Sequence, residues 1–128
     1  MTFEYPLTVR GYELDSYNHV NNAVYLNYFE QARWEIYKKL NLSEYFQENN
    51  LLLVVTEINI KYLREAKLFD ELIIKTDIIK QAPYLLFIHK LYNVKTNLKI
   101  SQAKVKMLLI NKDKIPQDLP KILTDNIS

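Results

Sequence analysis

Asp15, His19, Asn21 and Asn22 fall within the short stretch Glu13-Leu14-Asp15-Ser16-Tyr17-Asn18-His19-Val20-Asn21-Asn22. A carboxylate can act as general base or nucleophile, an imidazole can take or give a proton, and a short amide can cap a helix. Such a group at the mouth of a helix marks a candidate site. For a lone aspartate the ordinary role is to cap a turn. His19 has two readings that both stay open. It can orient water, bind a carbonyl or help a leaving group depart, or it can hydrogen-bond a main-chain carbonyl and shape the loop.

Other chemistry is narrowed by what the chain lacks. It has no cysteine, which removes disulfides, thiolate metal sites and a cysteine nucleophile together. Its two histidines stand seventy positions apart without a His-x-x-x-His spacing, so no metal site is expected and no cofactor is implied. His89 alternates with Leu85, Phe87 and Leu91 and reads as a structural residue on a strand. Ten tyrosines are many for this length, and the strand propensity of aromatic residues accounts for most of them.

The elements that must position the site follow from hydrophobic period. Residues 3–10 alternate, with Phe3, Tyr5, Leu7 and Val9 on one face, as in a half-buried strand. Pro6 cannot donate to a ladder, which predicts a free edge or an irregularity there, and Gly11 predicts a bulge or bend. Over residues 22–40 the period changes: Tyr25, Phe29, Ala32, Ile36 and Leu40 recur at helical steps, with Asn21 or Asn22 as cap. A second helix is predicted over 43–49 with Ser43 as its cap. Strands follow over 51–63, 70–80, 84–93 and 99–111, and their short links predict an antiparallel meander. The tail from Lys112, with Pro116 and Pro120, reads as a poor element loosely attached. On the helix, Glu30 and Arg33 are spaced for an ion pair, and Glu57 is expected to share a strand face with Val55, Asn59 and Lys61.

These elements make an α+β domain in which a curved sheet wraps one long helix. At 128 residues the chain is read as a single domain, 1–128. A net charge of +2 with scattered Lys and Arg argues against nucleic-acid binding. No apolar run approaches the ~20 residues of a membrane span, and the N-terminus lacks signal-peptide character, so a cytoplasmic location is the expectation.

The block from Glu13 to Asn22, with Tyr25, Tyr28-Phe29-Glu30 and Arg33, resembles the hotdog-fold acyl-CoA thioesterases, especially the 4-hydroxybenzoyl-CoA thioesterase-like branch. His19-Val20-Asn21-Asn22 is also similar to plant acyl-acyl-carrier-protein thioesterases. The likeness extends through Val54-Val55-Thr56-Glu57-Ile58-Asn59-Ile60-Lys61-Tyr62-Leu63-Arg64, then Ala66 and Asp70. It implies a five-stranded antiparallel sheet around the long helix, a homodimer or homotetramer with the active site between subunits, and an acyl-CoA or acyl-carrier-protein substrate. It also implies that Asp15 is the catalytic carboxylate and that a backbone N–H at about Asn22 holds the thioester carbonyl.

Three positions depart from the family pattern. Asn18 stands where glycine is frequent, Glu65 where proline is frequent, and Tyr17 where the plant enzymes carry an asparagine. Coenzyme A brings phosphates, for which Lys61, Arg64, Lys80 and Lys90 are candidates. A catalytically idle acyl- or protein-binding module of the same fold is the alternative function. A hydratase is third, because neither Asp-x-Asn-Pro-x-His nor His-Phe-Pro-Gly occurs.

Overall fold

The computed structural model describes residues 1–127. Strand β1 (Thr2–Thr8) is followed by a 3-10 turn at Gly11–Glu13, helix α1 (Asn22–Lys39) and helix α2 (Leu42–Glu48). Then come β2 (Leu51–Tyr62), β3 (Glu71–Gln81), β4 (Tyr84–Asn93), β5 (Lys99–Asn111) and a short helix α3 (Lys121–Thr124).

Helix α1 forms where the period predicts it. Asn21 caps it, its side-chain oxygen accepting the Ala23 N–H at 2.9 Å. Lys38 and Lys39 sit in the last turn, where cations complement the helix dipole. The chain leaves through Asn41 in the left-handed region, φ 56°. The helix is about 27 Å long. Tyr25, Phe29, Ala32 and Ile36 are buried against the sheet, where they meet Leu72, Ile74, Ile78, Leu85, Phe87 and Leu91.

All strands pair antiparallel in the order β1-β3-β4-β5-β2. Only β3, β4 and β5 form a meander, which corrects the expectation of one through all four later strands. The link over residues 63–70 is longer than the usual hairpin loop of about two to five residues. It carries the chain from β2 at one edge to β3 across three strand spacings, about 14 Å, well within the reach of eight extended residues. The other edge is β1, which accommodates Pro6, as expected of a strand with a free side.

Other expectations need correction. Of the bulge or bend expected at Gly11 it is the bend that forms, as the 3-10 turn, with no positive φ and nothing within 4 Å of an added Cβ to demand glycine. Ser43 lies inside α2, whose cap position is Asn41. A register shift between Val55 and Glu57 inserts Thr56 as a bulge. Val55 therefore pairs with buried Met107 on the helix side, while Glu57, Asn59 and Lys61 pair with Lys106, Lys104 and Gln102 on the outer face. One extra residue reverses strand parity.

The tail is not loose. Gln117 donates its N–H to the Leu109 carbonyl at 2.8 Å, and α3 places Leu123 fully buried in the core. Sequence period cannot see a single anchoring residue in so short a helix. Leu123→Ala should destabilise the protein by about 2–5 kcal/mol, measured by urea denaturation.

Candidate active site

The loop before α1 is fastened at Glu13. Its carboxylate is buried and accepts three hydrogen bonds of 2.8 Å, from the Arg10 N–H, the Arg10 guanidinium and the Tyr28 hydroxyl on α1. Burial alone would raise this carboxyl, but the Arg10 and Tyr28 donors outweigh it and leave the group below the usual glutamate range. Burial and the adjacent Glu13 push the Tyr28 hydroxyl far up. The Glu13 carbonyl accepts the Asn21 N–H at 2.9 Å, which sets the start of the helix.

Beyond this anchor the chain makes a tight turn. Asp15 Oδ1 accepts the N–H groups of Tyr17 at 2.8 Å and His19 at 3.2 Å. The Asp15 N–H reaches the His19 carbonyl at 2.8 Å, and Asn18 sits at φ 64°. Asparagine tolerates that left-handed conformation, so glycine is not required there. With Oδ1 committed to the turn, Oδ2 takes no hydrogen bond from the described residues and is the oxygen left for chemistry.

The turn is laid against the link after β2. His19 and Lys67 form an antiparallel bridge, and the Val20 N–H reaches the Ala66 carbonyl at 2.9 Å. A cleft of about 240 Å³ opens there, lined by Asp15, His19, Asn22, Tyr25, Tyr62, Arg64 and Glu65 among others. The three sequence-predicted site positions thus share one cleft. At its helix wall the Asn22 N–H has no acceptor among the described residues, because the Asn21 side chain caps Ala23 instead. Tyr62 donates its hydroxyl to the Asn22 carbonyl at 3.0 Å and packs edge-on against Tyr25, with ring centroids 5.3 Å apart. A larger groove of about 450 Å³ lies between β1 and the later turns of α1, and holds none of the motif residues.

His19 Nε2 lies 3.0 Å from Glu65 Oε2. Of the four cations considered for phosphate contact, only Arg64 reaches the cleft. Its guanidinium donates to the Lys99 carbonyl at 2.7 Å. Glu13, Tyr62 and Glu65 were not singled out as site residues from sequence. Glu13 and Glu65 carried the signal of a charged residue within the motif block and at a departure from it, whereas Tyr62 was indistinguishable from any strand tyrosine.

Glu30 and Arg33 do not pair. Glu30 accepts the Trp34 indole N–H at 3.4 Å. Arg33 turns inward, its Nη1 lying 3.2 Å from His89 Nε2. A guanidinium has only donors, so Nε2 accepts, and Nδ1–H faces Thr76 Oγ1 at 2.7 Å. His89 is fully buried and stacked on Phe29, a neutral structural imidazole as expected. Burial, with the Arg33 charge adding to it, drives its pKa to about 3.

A family model described as the thioesterase-like superfamily matches residues 9–126. Long-chain acyl-CoA thioesterase FadM of Escherichia coli K12 is 43% identical over 72 residues, covering 56% of this chain and 54% of that protein. Acyl-CoA thioesterase YbgC of Haemophilus influenzae is 32% identical over 123 residues, covering 93% of this chain and 89% of YbgC. The crystal structure of the probable thioesterase YbaW from Escherichia coli superposes with a TM-score of 0.87 at 29% identity, covering 96% of this chain and 94% of that one. The fold is therefore the hotdog fold and the enzyme class that of thioester hydrolases. The chain belongs to the thioesterase-like superfamily.

The state of His89 makes a prediction about pH. Unfolded, this imidazole takes a proton near ~6.5; folded, it resists until about 3. Its contribution to stability is complete above ~6.5 and is lost progressively as pH falls through that window. Urea midpoints should fall between pH 7 and pH 5, and His89→Leu should flatten that part of the slope whatever it does to the absolute stability.

Proposed function

We propose that this protein hydrolyses acyl-CoA or acyl-carrier-protein thioesters, with Asp15 as general base or nucleophile and the Asn22 N–H polarising the thioester carbonyl. The observation that carries this reading is the convergence of Asp15 and the helix start on one cleft. A thioester has a good leaving group, so its hydrolysis needs little beyond an activated attacking oxygen and a donor for the developing oxyanion. Asp15 offers a carboxylate whose Oδ1 is held by two main-chain N–H groups, which aims the side chain and leaves Oδ2 available. The Asn22 N–H is one of the unpaired donors at a helix start, reinforced by the dipole. A donor of this kind is worth about 2.7–4 kcal/mol to acyl transfer in other enzymes. His19 lines the same cleft and completes the polar wall. Arg64 is the cation placed to meet a phosphate of coenzyme A.

The names of FadM and YbgC favour acyl-CoA as the carrier of the acyl group. Turn capping accounts for Oδ1 of Asp15, and the hydrolase reading gives a use to Oδ2 and to the unpaired helix N–H as well. The whole chain is proposed to act as a single domain.

Self-association belongs to the same reading. β2 is a 12-residue edge strand with one side unpaired, and Val55 (44% exposed), Ile58 (40%) and Tyr62 (46%) stand open on its helix-facing side. A long unpaired edge with an apolar face is a template for pairing, and covering it is one way native proteins manage it. A second copy, in a dimer or in a tetramer built from dimers, would cover this one.

The absence of cysteine allows a thiol-trapping reagent to report released coenzyme A without protein background. Asp15→Asn should lower turnover of a panel of acyl-CoA esters at least tenfold while circular dichroism and assembly stay unchanged; an unaltered rate would overturn the role given to Asp15. No turnover by the unaltered protein on any CoA or carrier-protein thioester would favour the binding module. Light scattering should report two or four copies, and Ile58→Glu should shift the mass toward that of one chain.

A further inference from the structure

Attack on the carbonyl leaves one feature of the cleft unused. Glu65 places its carboxylate 3.0 Å from His19 Nε2. The contact is not a chance meeting of two long side chains, because the backbones that carry them are joined on either side. His19 bridges Lys67, and Val20 bonds to Ala66, which is fully buried. The rest of His19 is equally fixed: its N–H goes to Asp15 Oδ1 and its carbonyl takes the Asp15 N–H. The backbone that carries the imidazole is therefore bonded directly to the carboxylate proposed to attack.

A carboxylate only accepts, so Nε2 carries a hydrogen and Nδ1 is the nitrogen left for a substrate. Nδ1 has no partner among the described residues. We propose that Glu65 is a positioning residue for this hydrolase: it takes Nε2–H of His19 and so turns Nδ1 toward the substrate, where a proton carried on Nδ1 is given to the departing sulfur. The inference rests on the Asp15 reading above and extends it to the second half of the reaction. When the carbon–sulfur bond breaks, its electron pair goes to sulfur and the Nδ1 proton follows, so the carrier leaves as a thiol. His19 is left neutral with Nε2–H still toward Glu65, and regains its proton from water. The proton of the attacking water goes to Asp15, or to solvent if Asp15 attacks directly and the acyl-aspartate is then hydrolysed. Nothing besides water is consumed.

This role predicts a dependence on the leaving group that a structural role would not produce. An alkyl thiolate is a strong base and benefits from a proton, whereas an aryl thiolate departs readily without one. The same acyl group is offered as its N-acetylcysteamine ester and as its thiophenyl ester, with released thiol measured directly. Glu65→Ala should lower kcat at least tenfold on the alkyl ester and less than threefold on the aryl ester, with KM moved less than twofold. Glu65→Gln, which keeps an acceptor for Nε2–H but not the charge, should fall between Glu65→Ala and the unaltered protein.

In a His19→Ala background the substitution at 65 should add nothing, since both variants would remove the same function. Equal losses on the two esters would overturn the proposal, as would no loss on either, or losses that multiply with His19→Ala. Asp15→Asn should depress both esters alike. If it does and Glu65→Ala fails to discriminate, the inference falls while the hydrolase reading stands. If Asp15→Asn leaves both rates unchanged, it is that reading which falls. Glu65 is exposed, and thermal melting of the variants checks that the fold is kept.

Discussion

The carboxylate of Glu13 is the interaction on which the site geometry depends. A loop of polar residues has no apolar face with which to dock, so it must be held by directed bonds. Glu13 supplies them at one point: Arg10 from the end of β1, Tyr28 from the second turn of α1, and, through its own carbonyl, Asn21 at the helix cap. A buried anion with three donors is satisfied in that arrangement and in few others, which makes it a sharp constraint on where the loop can lie. Asp15 follows only two residues later, so its position relative to the helix start is inherited from Glu13. A neutral amide at 13 would fill the same space, but it would present one acceptor oxygen where two now serve Arg10 and Tyr28.

The two histidines show how burial assigns different work to one residue type. His89 lies in the middle of the sheet with a guanidinium on one nitrogen, a hydroxyl on the other and Phe29 against its ring. Charging it would put a second cation beside Arg33 in a dry interior, so it stays neutral and structural. His19 is partly open to solvent, lines the cleft and faces a carboxylate. The first environment excludes proton transfer, and only the second leaves a ring nitrogen open for the role proposed for it.

What was legible from sequence was what depends on neighbours along the chain. Tyr25, Phe29, Ala32 and Ile36 announce a helix because their spacing matches its turn, and the strands announce themselves by alternation. Asp15, His19 and Asn22 were legible as a site for the same reason, being packed into one local motif. What escaped depends on contacts between distant segments. The placement of β2 beside β5 is a matter of how residues 63–70 cross the sheet, and the Thr56 bulge, which sends Val55 inward, leaves no trace in composition. Leu123 is a core residue in a tail that reads as polar and proline-rich. Arg33 abandons Glu30, three positions away, for His89, fifty-six positions on, because that side of the helix faces the sheet.

The same distinction separates the two halves of the proposed reaction. The attacking carboxylate and the oxyanion donor come from one short stretch whose geometry is fixed by a turn, a cap and Glu13, all local. The leaving-group side is built differently, since His19 and Glu65 meet only because the link after β2 crosses the mouth of α1. Its geometry is tertiary, and a single substitution at position 65 can change it without touching the fold. In a scaffold so arranged, the proposed attack rests on the tightly bonded turn, and the proposed departure of the thiol rests on a contact between partly exposed side chains. The carboxylate at 65, exposed and bonded only through its side chain, lies on the adjustable side of that division.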